Sequence, residues 1–209
     1  MSKHFAPMFA EFTKGHELVG HLPRHVTIFG SARTKEESRE YSEAYQLGWE
    51  LAKRGHNVAT GAGDCGQMLA ANKGAWDSAR EHNNNSLSIG YSIELEMEQE
   101  ANEFCDILHE CQYFNSRKWF LITRASAIIA TPGGIGTLEE IFDVWTKVQC
   151  NKIKRPLPLI LFDTSYWSGL VAWMNNTLLA RGFISPDDLS MVLVTDSIDD
   201  AINHIEKHT

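Results

Sequence analysis

The sequence predicts an α/β fold: a Rossmann-like three-layer sandwich, with a mostly parallel sheet of about seven strands and helices on both faces. Three observations carry this. From residue 25 onward, apolar runs alternate with longer segments of helical periodicity. The apolar runs are short, as expected of strands in a parallel sheet covered on both sides. Glycine-rich turns follow several of them, at Gly30-Ser31, Gly61 to Gly66 and Gly133 to Gly136, at the strand ends where such sheets bind ligands.

The elements follow in order. Residues 1–24 read as an N-terminal arm or helix, because Phe5, Met8, Phe9 and Phe12 recur at helical spacing. This segment is expected to pack on the body or on a second subunit. Residues 25–209 read as a single domain. "HVTIFG" is a first strand ending in glycine. A helix is expected over residues 35 to 54, with Gly55 ending it. "NVAT" is the second strand, "GAGDCG" its turn, and residues 66 to 80 the next helix. "SLSIGYSI" gives a third strand and "CDILHECQYF" contains a fourth. "SRKWFLITRAS" is helical, "AIIAT" is the fifth strand, and "PGGIGTLEE" opens a further helix. "LPLILF", "SYWSGLVAWMNNTLLARG", "MVLVT" and "SIDDAINHIEKH" complete the alternation as strand, helix, strand and helix.

The chain has 209 residues and a net charge of −8. That charge argues against nonspecific binding to a nucleic acid polymer or to anionic lipid, because both reward positive charge. It leaves room for a small phosphorylated ligand held by local donors. No apolar run approaches the about 20 residues of a membrane span, and no signal peptide is read at the N-terminus. Cys65, Cys105, Cys111 and Cys150 form no C-x-x-C pair, which suits a reducing cytoplasm. Cys105 and Cys111 are expected on one strand face as small core residues. No metal site is read from the histidines, and His109 is taken as a strand residue.

Several residues are candidates for chemistry. "GAGDCG" matches G-x-G-x-x-G, but after the second strand rather than the first. No suitable acidic residue stands about 20 positions on. It is either a tight turn or an anion contact, and a nicotinamide-cofactor reading rests on it alone. In "PGGIGT", glycines remove side chains where an anion could meet backbone N–H groups. A helix starting at Gly136 or Thr137 would add its positive end. Thr137-Leu138-Glu139-Glu140 also matches a capping box, in which Glu140 would only serve the backbone of Thr137. On a helical wheel, Glu140 lies opposite the apolar face of Leu138, Ile141, Phe142, Trp145 and Val148. It therefore stands in water or in a cleft above the sheet. Arg117-Lys118 opens a helix where cations oppose the macrodipole, so the pair is either surface or near an anion. Arg33 in "GSART" is placed similarly. Lys152, Lys154 and Arg155 are expected in a solvated loop.

Together these stretches resemble the LOG family, long labelled "lysine decarboxylase-like". "PGGIGTLEE" matches its P-G-G-x-G-T-x-x-E signature, and Arg117-Lys118 matches its Arg-Lys pair. "FGSAR", "TGAGDCGQM" and "EQEAN" fall where the family has its first turn, its second turn and an E-Q-x-x-N segment. The resemblance runs from about residue 25 to 205. Two departures stand out. Phe114-Asn115-Ser116 precedes Arg117 where many members have M-H-x, and Ala62 stands where many have glycine.

The resemblance implies a phosphoribohydrolase that cleaves the N-glycosidic bond of a nucleoside 5′-monophosphate. It implies no cofactor, a small-molecule nucleotide substrate, and a homodimer with active sites near the subunit interface. Such cleavage passes through an oxocarbenium-like state. Gly133, Gly134, Gly136 and Thr137 are then expected to hold the 5′-phosphate. Glu140 would stabilise the ribosyl cation or orient water, with Arg117 positioning the ribose. Gly30, Ser31, Arg33, Gly61, Gly63, Glu98 and Lys118 are the remaining expected substrate contacts. The alternative class is a non-catalytic nucleotide- or molybdenum-cofactor-binding protein of the same fold.

Overall fold

The computed structural model describes residues 5–94 and 100–208. Seven strands form one parallel sheet: His25–Phe29 (β1), Asn57–Thr60 (β2), Ser88–Ile93 (β3), Ile107–Cys111 (β4), Ala125–Ala130 (β5), Leu159–Phe162 (β6) and Val192–Thr195 (β7). Their order across the sheet is β4-β3-β2-β1-β5-β6-β7. The chain thus builds outward from β1 in one direction, returns to the centre, and builds outward from β5 in the other. The three-layer architecture expected from the alternation is present.

The helices are Phe5–Gly20 (α1), Arg39–Lys53 (α2), Gly66–Glu81 (α3), Phe114–Thr123 (α4), Ile135–Gln149 (α5), Thr164–Trp173 (α6), Pro186–Ser190 (α7) and Ile198–His208 (α8). Helix α6 runs on into a π-helical stretch, Met174–Leu179. The central strands alternate which helical layer they feed, as a period of two demands. Val26 and Ile28 of β1, with Ala127 and Ile129 of β5, meet α2, α3 and α8 on one face. Phe29, Ile128 and Ala130 meet α4, α5 and α6 on the other. Both central strands are buried along their whole length, which is why apolar residues dominate them.

The differences from expectation lie at boundaries and have local causes. Helix α2 begins at Arg39 rather than near residue 35, because Ser38 caps it by accepting from the Tyr41 N–H at 3.2 Å. Strand β4 is shorter than the apolar run suggests. Cys105 precedes it near the Asn102 side chain, while Cys111 is its buried last residue, so the two cysteines do not share a strand face. The short helix α7 was not anticipated; Ser185 and Asp188 form its capping box. Arg155, expected in solvent, donates to the carbonyls of Ile122 and Thr123 at 3.0 and 3.4 Å. The N-terminal segment is a helix packed on the body, with Phe12 against Trp119 and Phe120. No helix among the described residues is long and apolar enough to cross a membrane.

Helices α2 and α3 approach closely through paired glycines. A Cβ added at Gly48 would lie 2.1 Å from the Ala71 carbonyl oxygen, and one at Gly74 would lie 2.0 Å from that of Tyr45. Gly169 in α6 has nothing within 4 Å of such an atom. Gly74→Ala is therefore expected to lower stability by about 1–3 kcal/mol through overpacking. Gly169→Ala should raise it by up to about 1 kcal/mol through helix propensity. Urea unfolding midpoints measure both, and equal effects would contradict the close approach.

Candidate active site

Strands β1 and β5 are neighbours, but their outgoing connections leave toward opposite faces. After β1 the chain turns toward α2; after β5 it turns toward α5. The carboxyl ends between them stay uncovered, the general location of ligand sites in open α/β sheets. A cleft of about 580 Å³ opens there. Its walls come from three strand ends and two helix starts. Gly30, Ser31 and Arg33 follow β1, Gly61 and Gly63 follow β2, Phe114 and Arg117 stand on α4, and Gly134, Gly136, Thr137 and Glu140 lie on the α5 turn.

Arg117 is held from behind. Its Nε donates to the Tyr91 carbonyl at 2.7 Å and its Nη2 to the Gly61 carbonyl at 3.2 Å. The remaining nitrogen, Nη1, lies 3.7 Å from Glu140 Oε1. That is an ion pair too long for a direct hydrogen bond. The Arg117 side chain is 11% exposed and that of Glu140 15%, so both charges stand largely out of water.

The glycines divide into two kinds. A Cβ at Gly61 would fall 1.8 Å from Arg117 Nη2, and one at Gly133 would fall 2.1 Å from Thr137 Oγ1. In these two places the close neighbour is the protein itself. At Gly134 and Gly136 an added Cβ meets nothing within 4 Å. These positions are open toward the cleft beside the start of α5, whose N-cap residue, Gly134, has no side-chain cap. Free N–H groups at a helix N-terminus form an anion site. Of the four residues expected around a phosphate, Gly134, Gly136 and Thr137 line the cleft. Gly133 faces Thr137, and its carbonyl accepts from the Tyr166 hydroxyl.

Helix α5 starts at Ile135, one to two residues earlier than the sequence suggests. Thr137 is consequently its third residue rather than its cap. The Thr137-Glu140 capping box is not formed, and Glu140 stands in the second turn facing the cleft. Of the other expected contacts, Lys118 pairs with Glu139 and does not line the cleft. Glu98 lies outside the described residues. The second turn is anchored by Asn102, whose backbone N–H donates to the Ala62 carbonyl at 2.9 Å and whose amide donates to the Gly63 carbonyl at 3.1 Å. Ala62 has φ 59°, a conformation that favours glycine. Glu100, Met68, Ser92 and Ile93 also line the cleft, with nothing in the sequence to single them out. Nothing in "EQEAN" separates Glu100 from Glu98. Phe114 and Ile135, at 59% and 82% exposure, set apolar groups at the mouth. Among the described residues no cluster could hold a metal ion.

A family sequence model described as "Possible lysine decarboxylase" matches residues 68–205. A cytokinin riboside 5′-monophosphate phosphoribohydrolase of Mycobacterium marinum is 30% identical, over 82% of this chain and 87% of its own. A protein of the same name from Arabidopsis thaliana is 26% identical, over 93% and 87%. Among solved structures, the molybdenum cofactor binding protein of Rippkaea orientalis superposes with a TM-score of 0.64 at 21% identity, covering 90% of this chain and 98% of its own. The molybdenum cofactor carrier protein of Chlamydomonas reinhardtii does so with 0.58 at 18%, covering 89% and 98%. At those identities the structures attest to the fold alone.

Burial pushes the Glu140 carboxyl up from its ordinary 4.5 to about 7, against the opposing pull of Arg117. A carboxyl raised on folding binds its proton more tightly in the native chain. Its contribution to stability is therefore greatest below pH 4.5 and is lost as the pH rises toward 7. Glu140→Gln cannot titrate. Between pH 4 and pH 8 the stability of this variant should gain on the parent by up to about 3 kcal/mol. Urea unfolding at the two pH values measures this, and a pH-independent difference would contradict the burial of the charge.

Proposed function

The chain belongs to the LOG family, whose older description is possible lysine decarboxylase, and from that premise we propose that it is a nucleoside 5′-monophosphate phosphoribohydrolase. It would hydrolyse AMP or a cytokinin riboside monophosphate, the latter being the substrate named for its relatives. The observation that carries this reading is the Arg117–Glu140 pair standing beside the open first turn of α5. The turn supplies N–H groups for the 5′-phosphate, and the pair supplies charge where the sugar would lie.

In the reaction, water attacks C1′ as the bond to the base breaks. The base leaves with the bonding electrons and ends with one proton of the water, and the oxygen stays on ribose 5-phosphate. Positive charge builds on the sugar between these events. Ionised Glu140 stabilises that charge, or takes the proton of the incoming water, for which a carboxyl titrating near neutrality is suited. Arg117 acts through its charge. It orients the ribose and favours the ionised form of Glu140. Lysine decarboxylation has no support here: none of the described cleft residues is a lysine, and Lys118 is tied to Glu139.

Incubation with a panel of nucleoside monophosphates, followed by chromatography of free bases, tests the proposal. Base release from at least one of them is expected. Glu140→Gln should lower kcat by about 100-fold or more while retaining nucleotide binding, and Glu139→Gln should keep most of the activity. The rate should fall as the pH drops below about 7. Tight binding without release from any nucleotide would contradict the proposal and favour a carrier role.

A further inference from the structure

Helix α4, which carries Arg117, begins poorly by its own sequence. Its N-cap residue, Tyr113, offers no side-chain cap, and its first turn contains no acidic residue. Arg117 and Lys118 place positive charge near the positive end of the helix dipole. The missing anion comes from the N-terminal helix. Glu11 Oε2 accepts from the Gln112 N–H at 2.8 Å, across 101 residues of sequence. Glu11 Oε1 accepts from the Ser116 hydroxyl, which also has the Tyr113 carbonyl 2.8 Å away as an alternative acceptor. One carboxylate thus ties down the residue before the cap and the residue immediately before Arg117.

The seat for α1 is built separately. Gly15 is buried in the middle of a helix, where glycine is otherwise unfavourable. A Cβ there would lie 2.0 Å from Phe120 Cζ of α4. Phe12 and His16 pack on Trp119, with ring centroids 5.9 and 5.7 Å away. Glycine at position 15 lets α1 lie directly on α4 and brings Glu11 to its end.

We propose that α1 is a clamp on the helix that carries Arg117, and that Glu11 is a positioning residue for Arg117. The guanidinium is fixed at its far end by the Tyr91 and Gly61 carbonyls. At its near end it depends on the first turn of α4, opened by the bond from the Arg117 N–H to the Tyr113 carbonyl at 3.1 Å. Loosening that turn moves Arg117 relative to Glu140 but leaves the phosphate turn on α5 untouched. The defect should therefore appear in kcat rather than in KM. The catalytic part of this proposal rests on the function proposed above.

The test uses the full chain with Glu11→Gln, Gly15→Val and the double variant. Two readouts are needed: AMP cleavage, and hydrogen exchange of the amides at 112–117 with those of β1 and β5 as controls. Glu11→Gln should speed exchange at 112–117 without changing the controls. Its kcat should fall about 10- to 100-fold, the scale of a small misplacement, with KM nearly unchanged. Gly15→Val should do the same, and the double variant should be no worse than the more impaired single one. Glu11→Gln with parental exchange and parental kcat would overturn the proposal, as would a defect confined to KM. Should the parent cleave no nucleotide, the function fails on its own. Exchange at 112–117 then still decides whether Glu11 holds α4.

Discussion

The uncovered gap between the outgoing turns of β1 and β5 is the constraint from which the site follows. Two adjacent parallel strands whose connections depart toward opposite faces cannot close the end between them. Here one connection leads to α2 and the other to α5, on opposite layers of the sandwich. The N-terminus of α5 therefore opens onto a space that the protein does not fill. Helix α4, lying on the same layer as α5, sends Arg117 across the ends of β2 and β3 to the edge of that space.

Within the gap, two costs are set against each other. Glu140 is desolvated, which disfavours its charge, and Arg117 offsets only part of the penalty. The guanidinium gives two of its nitrogens to backbone carbonyls and keeps one toward Glu140 at 3.7 Å. A pair this loosely joined leaves room for a third charge. A cationic sugar between the base and the phosphate would complete the electrostatics of the cleft, because it restores the partner that burial denies the carboxylate. The glycines serve the same arrangement. Gly61 admits the arginine, and Gly134 and Gly136 leave the start of α5 open to the cleft.

Much of this was legible in the sequence because each strand is a short apolar run and each turn has its own glycines. The layers, the strand count and the gathering of Arg33, Arg117, Thr137 and Glu140 at one end all follow from that pattern. The start of α5 did not. Thr137-x-x-Glu140 satisfies a capping box in letters, but the backbone enters the helix at Ile135 with Thr137 packed against Gly133, and the letters alone do not register a shift of one to two residues. For a similar reason glycines that open onto the cleft and glycines that admit a side chain look identical until the neighbours are known. Lys118 reads as equivalent to Arg117, yet one helical step turns it toward Glu139. The contact between Glu11 and α4 spans 101 residues, a separation at which no periodicity speaks.

Glu140 is a desolvated carboxylate set against Arg117. The most direct measurement is the titration of its side-chain carboxyl carbon by 13C NMR in the free protein, assigned with Glu140→Gln and repeated in Arg117→Gln. A midpoint near 7 is expected in the parent and a higher one once the arginine charge is removed. A midpoint near 4.5, unmoved by loss of Arg117, would contradict this arrangement.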